Sequence, residues 1–205
     1  MRLAHPRSAL LVCASAFVAI ACAVLLLGAL PADEAIYRGL VSIGSPLVRR
    51  VVRMVNYAGA WQVLLPGTLL LFAVFARARE RWWLWLGLMV TAPLLEQLFK
   101  FSIARHRPED DSFGFPSGHA TAAAAFFGAL IYLAGSLPPL PRRLIRVLAP
   151  LMIVLVGLAR IMLRAHWPSD VAGGIALGLS LAAAAALLAA SDLPLDSSTH
   201  HRALS

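Results

Sequence analysis

Three short clusters hold the residues of this sequence that can do chemistry. The first is Lys100-Phe101-Ser102-Ile103-Ala104-Arg105-His106-Arg107-Pro108, the second is Pro116-Ser117-Gly118-His119, and the third runs from Arg160 through His166 to Asp170. Lys100, Arg107 and Arg160 are fixed cations. A guanidinium offers phosphate oxygens a planar fork, and an ammonium offers a point charge. Ser117 and Gly118 stand where a helix begins. The leading amides of a helix have no internal acceptor and lie at the positive end of its dipole, which favours an anion. Donors converging on three oxygens stabilise the spread charge of a phosphoryl transition state.

Two histidines complete the set. His166 precedes Asp170 by four residues, with Pro168 at the turn between them. The carboxylate can accept from one ring nitrogen, fix the tautomer and leave the other nitrogen to attack phosphorus. His119 follows Gly118 at the start of a helical stretch, in a position to protonate a leaving oxygen and later to activate water. No carboxylate cluster suits magnesium, so a metal-independent route fits and no cofactor is called for. Plainer readings exist for each residue alone. Lys100 can snorkel or pair with Glu96 one turn earlier, Pro116-Ser117-Gly118 is a good helix start, and Asp170 suits a helix N-terminus. Arg160 inside an apolar run is harder to dismiss, because an intramembrane charge is costly and needs a partner.

The elements that carry these clusters are apolar. Of 205 residues, 60% are hydrophobic and 14% charged, against about 25% charged in a typical soluble domain. The mean hydropathy is +0.78. Six segments read as membrane spans, at about 8–30, 60–76, 82–101, 117–136, 144–163 and 170–190. The second is short and extends back through Val51, Val52 and Met54, and the fourth is Ala-rich and only moderately apolar. The first is longer than a usual signal core and reads as an uncleaved anchor. The stretch 31–55 alternates apolar and basic residues at near-helical spacing, as an amphipathic segment in the interface does. Trp82, Trp83 and Trp85 read as an aromatic belt, and the residues from 191 to 205 as a loose cytoplasmic tail. The expected fold is therefore an all-α six-span bundle, with residues 1–205 as one domain.

Net charge is +8. Nucleic acid is an unsuitable partner, because the basic residues sit beside long apolar runs. Cys13 and Cys22 both fall in the first span and read as small apolar fillers. With the N-terminus inside, nine Lys and Arg residues lie on each side of the membrane, so loop charge alone does not set the orientation. Arg2 and Arg7 before the first span and Asp33 and Glu34 after it favour an inside N-terminus. In that topology all three clusters fall on the outer face. This result does not depend on the chemistry assigned to them.

In order and in internal spacing, the clusters resemble the three motifs of the type 2 phosphatidic acid phosphatase superfamily: KxxxxxxRP, PSGH and SRxxxxxHxxxD. The first two match in full, and the third carries Ala159 where the family has serine, an auxiliary phosphate contact. The resemblance spans the six-span core. It implies a phosphohistidine intermediate on His166, acid–base work by His119, and phosphate binding by Lys100, Arg107, Ser117, Gly118, His119 and Arg160. It also implies a membrane lipid phosphate as substrate: phosphatidic acid, phosphatidylglycerophosphate, undecaprenyl pyrophosphate or a lipid A phosphate. A bacterial inner membrane with the site facing the periplasm goes with it. Rival readings are a lipid phosphotransferase using the same histidine, a vanadate-dependent haloperoxidase, and a non-catalytic lipid-binding membrane protein. The soluble, larger build of the haloperoxidase relatives argues against the second. Intact His119, His166 and Asp170 argue against the third. Arg105, His106 and Arg164 read equally well as head-group contacts and as solvated loop residues. Arg49, Arg50 and Arg53 can draw anionic lipid.

Overall fold

The computed structural model describes residues 6–191. Its helices are α1 Pro6–Leu27, α2 Pro31–Ser42, α3 Pro46–Tyr57, α4 Trp61–Val74, α5 Ala76–Glu80, α6 Trp82–Ile103, α7 Gly118–Leu133, α8 Pro139–Met162 and α9 Pro168–Ser191, with a 3-10 turn at Ala134–Ser136. Among the described residues the extended structure is a single antiparallel bridge between His106 and Phe113. The tail expected at 191–205 lies, past Ser191, outside the described residues.

Five helices are long and apolar enough to cross a bilayer: α1, α6, α7 with its 3-10 extension, α8 and α9. The sixth candidate is a bent pair, α3 and α4, which meet at 47° and pass the same test only together. Alone, the 14 residues of α4 reach about 21 Å, against a hydrocarbon layer of about 30 Å. The chain is an all-α, multi-pass membrane bundle, with α2 as the helical segment between the first span and the bent α3–α4 pair.

Local chemistry sets the helix ends. Gly28 adopts φ 69° and returns its N–H to Val24 at 2.8 Å, which ends α1 three residues before the apolar run does. Pro31, Pro46, Pro139 and Pro168 open their helices, where a missing N–H costs nothing. Ser45 caps α3 by accepting from Val48. The 31–55 stretch is thus two helices, and α3 exposes Leu47, Val51 and Met54. Trp82 and Trp83 are exposed as a belt requires. Trp85 instead turns into the main apolar cluster with Leu88, Ala129 and Leu133.

At the centre, α7 packs against α9, with α1 along the other side of α9 and α8 against α7. The moderate hydropathy of α7 has a simple cause: it faces protein more than lipid and is far more buried than α1. The α7–α9 seam is built from small residues. A Cβ on Gly174 would lie 2.6 Å from the Ser117 carbonyl, and one on Gly178 would strike the Thr121 carbonyl and come within 2.8 Å of the Ala125 nitrogen. Helices in lipid gain little from burying apolar side chains against one another, because the tails are equally apolar. Close backbone approach between small residues holds them together instead.

Gly178→Val is therefore expected to destabilise the bundle by about 3 kcal/mol, read as a lower thermal unfolding midpoint in detergent. An unchanged midpoint would show that the seam can open without cost.

Candidate active site

The ends of α6 and α8 and the starts of α7 and α9 meet at one end of the bundle, and each end is shaped by its own sequence. Ala104 closes α6 in the left-handed region, at φ 50°, with its N–H on the Lys100 carbonyl. Arg164 does the same after α8, at φ 61°. Non-glycine residues held there cost about 1–2 kcal/mol each. Between α6 and α7 the chain doubles back: Arg107 N–H donates to Ser112 and Gly114 N–H to Arg105. Gly114 is required at this turn, because a Cβ there would sit 2.7 Å from Asp170 Oδ2 and 3.3 Å from Arg107 Cγ.

His166 is buried on the connection between α8 and α9, and its Nδ1 lies 3.5 Å from Asp170 Oδ2. Asp170 is fully enclosed in the first turn of α9. Its Oδ2 accepts from the Trp167 backbone at 3.0 Å and its Oδ1 from Arg105 at 2.9 Å. Its own carbonyl accepts the Ser117 N–H at 2.9 Å, which ties the start of α7 to the start of α9. Burial pushes His166 down to about 4; Asp170 opposes this, and the charges of Arg160 and Arg107 add to it. The ring is thus neutral at physiological pH and can act as a nucleophile.

The expected cations surround this pair. Lys100 meets the buried carboxylate of Glu96 one turn back, and that carboxylate also packs under the start of α7, where a Cβ on Gly118 would lie 2.9 Å from Glu96 Oε1. Arg160 donates from Nη1 to Asn56 Oδ1 at 2.9 Å. Arg107 has only a long 3.5 Å contact to Asp110. His119 lies within electrostatic reach of Arg160, His166, Lys100 and Arg107, so the three clusters share one site. Arg107 Nε, Arg160 Nε and Ser117 Oγ are buried and have no hydrogen-bond partner among the described residues. Buried donors are seldom left unpaired, and donors of this kind suit an anion. The Ser117 N–H is not among them, since Asp170 takes it. The first bond of the α7 ladder is Thr121 to Ser117, so the amides ahead of it have no acceptor within the helix and lie at its positive end. A cleft of about 360 Å³ opens beside Lys100 and Arg107 and is lined by Phe101 and Phe113. Among the described residues, no three His, Cys, Asp or Glu side chains converge as a metal-ligand set.

Several residues of this end escape a reading by motif. Asn56 sits in a basic, apolar helix with nothing to mark it, yet it holds Arg160. Arg105 is neither a head-group contact nor a solvated loop residue. It is buried between Asp33 at 2.6 Å and Asp170 at 2.9 Å. Arg164 pairs with Glu109 at 3.1 Å, Glu109 also accepts from Tyr37 at 2.8 Å, and His106 bonds the Asp111 carbonyl. No sequence signal pointed to Asn56 or Asp33, since Asn56 stands in a basic helix and Asp33 beside Glu34.

Removing the Asn56 carbonyl leaves Arg160 free to rotate off the site. Asn56→Ala is expected to weaken inorganic phosphate binding about tenfold, as loss of a charge-assisted hydrogen bond of about 1.5 kcal/mol does. Calorimetry on the detergent-solubilised protein measures it, and unchanged affinity would mean that Arg160 needs no such support.

Known membrane phosphatases share this chain's sequence and fold. Residues 81–191 match the PAP2 superfamily. Phosphatidylglycerophosphatase B of Bacillus subtilis is 36% identical over 161 residues, which cover 73% of this chain and 79% of that protein. Decaprenylphosphoryl-5-phosphoribose phosphatase of Mycobacterium tuberculosis is 33% identical over 164 residues, covering 70% and 85%. The crystal structure of a transmembrane PAP2-type phosphatidylglycerolphosphate phosphatase from Bacillus subtilis superposes with a TM-score of 0.79 at 31% identity, over 93% of this chain and 98% of that one. This chain belongs to the PAP2 superfamily and is a multi-pass membrane phosphatase.

Proposed function

We propose that the chain removes a terminal phosphate from an anionic membrane lipid in two steps, through a phosphohistidine on His166 and without a metal ion. The observation that carries this reading is the buried His166, with Nδ1 3.5 Å from Asp170 Oδ2. The ring's opposite nitrogen, Nε2, is then the nucleophile. In the first step Nε2 attacks phosphorus, the bond from phosphorus to the lipid oxygen breaks, and His119 gives that oxygen its proton. In the second, His119 takes a proton from water, whose oxygen displaces His166 and releases inorganic phosphate. Lys100, Arg107, Arg160 and the leading amides of α7 with Ser117 and Gly118 balance the charge on the transferring oxygens. The fixed charge of the donor set is positive, as suits a phosphate dianion taken without an escorting cation.

Phosphatidylglycerophosphate is the substrate we favour among lipid phosphates, on the likeness to the Bacillus subtilis enzyme. The exposed Phe101 next to Lys100 supports a lipid, since it places an apolar surface beside the phosphate site. We place the site on the periplasmic side of a bacterial inner membrane, with the whole chain as one phosphatase unit. Arg7 before α1 and the acidic Asp33 and Glu34 after it support that orientation.

The test is phosphate release from a panel of lipid phosphates by purified protein in detergent with EDTA present. Wild type is expected to release phosphate and His166→Ala to fall by at least about a thousandfold. EDTA-sensitive release, or an active variant, would sink the mechanism. Because His166 must be neutral to attack, its ionisation at about 4 places the acid limb of kcat/KM near pH 4, once the substrate's own ionisation at about pH 6 is allowed for. A limb at the ordinary histidine value would show that the ring is solvated.

A further inference from the structure

Asp33 stands in α2, outside all three motifs, and is almost wholly buried. It makes four contacts. Oδ1 accepts the Ser169 N–H at 2.9 Å, while Oδ2 accepts the Ser169 hydroxyl at 2.7 Å, Arg105 Nη2 at 2.6 Å and the Leu30 N–H at 3.2 Å. Ser169 lies in the first turn of α9, one residue before Asp170. The residue ahead of Pro168 is Trp167, whose side chain cannot accept a hydrogen bond. Asp33 therefore caps α9 from another helix, doing what a serine or aspartate at the N-cap ordinarily does. Through Arg105 it reaches Asp170 a second way, because Arg105 Nη1 donates to Asp170 Oδ1 at 2.9 Å and to the Ser169 hydroxyl at 2.5 Å. The four side chains form one closed, solvent-free network.

The charges in this network have a consequence for the nucleophile. Two carboxylates, Asp33 and Asp170, share one guanidinium, so the trio keeps a net negative charge on the side facing His166. We propose that Asp33 is a positioning residue for the phosphoryl-transfer step: it fixes the start of α9 and draws off part of the Arg105 charge, leaving the Asp170 carboxylate to orient and activate His166. This rests on the proposed nucleophilic role of His166. The charged groups around His166 are Asp170 on α9, Arg160 on α8 and Arg107 on the loop after α6, with His119 on α7. Only Asp170 supports its basicity. Without Asp33 the whole of Arg105 falls to Asp170, and that support weakens.

The experiment compares wild type, Asp33→Asn and Asp33→Glu for rapid-quench formation of phosphoenzyme and for the pH profile of kcat/KM, with inhibition by inorganic phosphate as the measure of an intact cradle. Asp33→Asn keeps the size and loses the charge. It is expected to lower kcat and phosphoenzyme formation about thirtyfold, to change KM and phosphate inhibition less than about threefold, and to move the acid limb to lower pH. Asp33→Glu should recover part of the rate. Unchanged kcat, or an unmoved limb with KM raised instead, overturns the proposal. If Asp33→Asn does not fold, Arg105→Gln and Asp33→Asn/Arg105→Gln replace it: the double variant, with one unpaired carboxylate fewer, is expected to be the more active, and equal or lower activity overturns the proposal. Failure of the His166 reading is distinguishable, because wild type itself would then form no phosphoenzyme.

Discussion

A carboxylate with no exposure at all, Asp170, is the point on which the rest of this structure depends. Burying a charge near the hydrocarbon layer costs several kcal/mol unless partners replace the lost water. Asp170 has them on every side: a guanidinium, the Trp167 amide, the imidazole of His166, and through its backbone carbonyl the Ser117 amide. They come from three parts of the chain: the loop after α6, the start of α7, and the connection between α8 and α9, which supplies both His166 and Trp167. Satisfying this one group therefore gathers the loop after α6, the start of α7, the end of α8 and the start of α9 at one place, and those are the segments that carry the chemistry.

The bundle below makes that gathering possible by being tightly packed. Gly174 and Gly178 bring α9 against α7 backbone to backbone, and at the top of the same seam the Ser117 N–H meets the Asp170 carbonyl. A bulky residue in the seam would part the two helix starts and open the site with them. The site end is irregular where the bundle is regular, with two left-handed non-glycine residues, Ala104 and Arg164, closing α6 and α8. Both residues are exposed at this end of the bundle, where water can satisfy the backbone groups that the helices leave.

Much of this was legible before any coordinates. The number of apolar segments, their lengths and the all-α class follow from hydropathy, because a lipid solvent leaves helices as nearly the sole solution for a spanning chain of this kind. The clusters around Lys100, Pro116 and Arg160 were legible too, since the residues that must act together lie within one turn or one loop of each other. Trp85 shows where that reasoning stops. Its neighbours Trp82 and Trp83 face outward, and composition does not say which side of a short aromatic run turns inward. Arg105 shows it again: two residues from Arg107 in sequence, it serves the interior of the site instead of the phosphate.

The sequence by itself determined the membrane class, the helical fold and the family motifs, since all three depend on composition and on spacings of a few residues. Tertiary structure alone decided which partner each buried charge has. Arg105 reaches Asp33 across 72 positions and Arg160 reaches Asn56 across 104, separations over which no periodicity or motif carries information. The physical reason is that a buried ion is stabilised by whatever group the packing brings within about 3 Å, and packing is a property of the whole bundle.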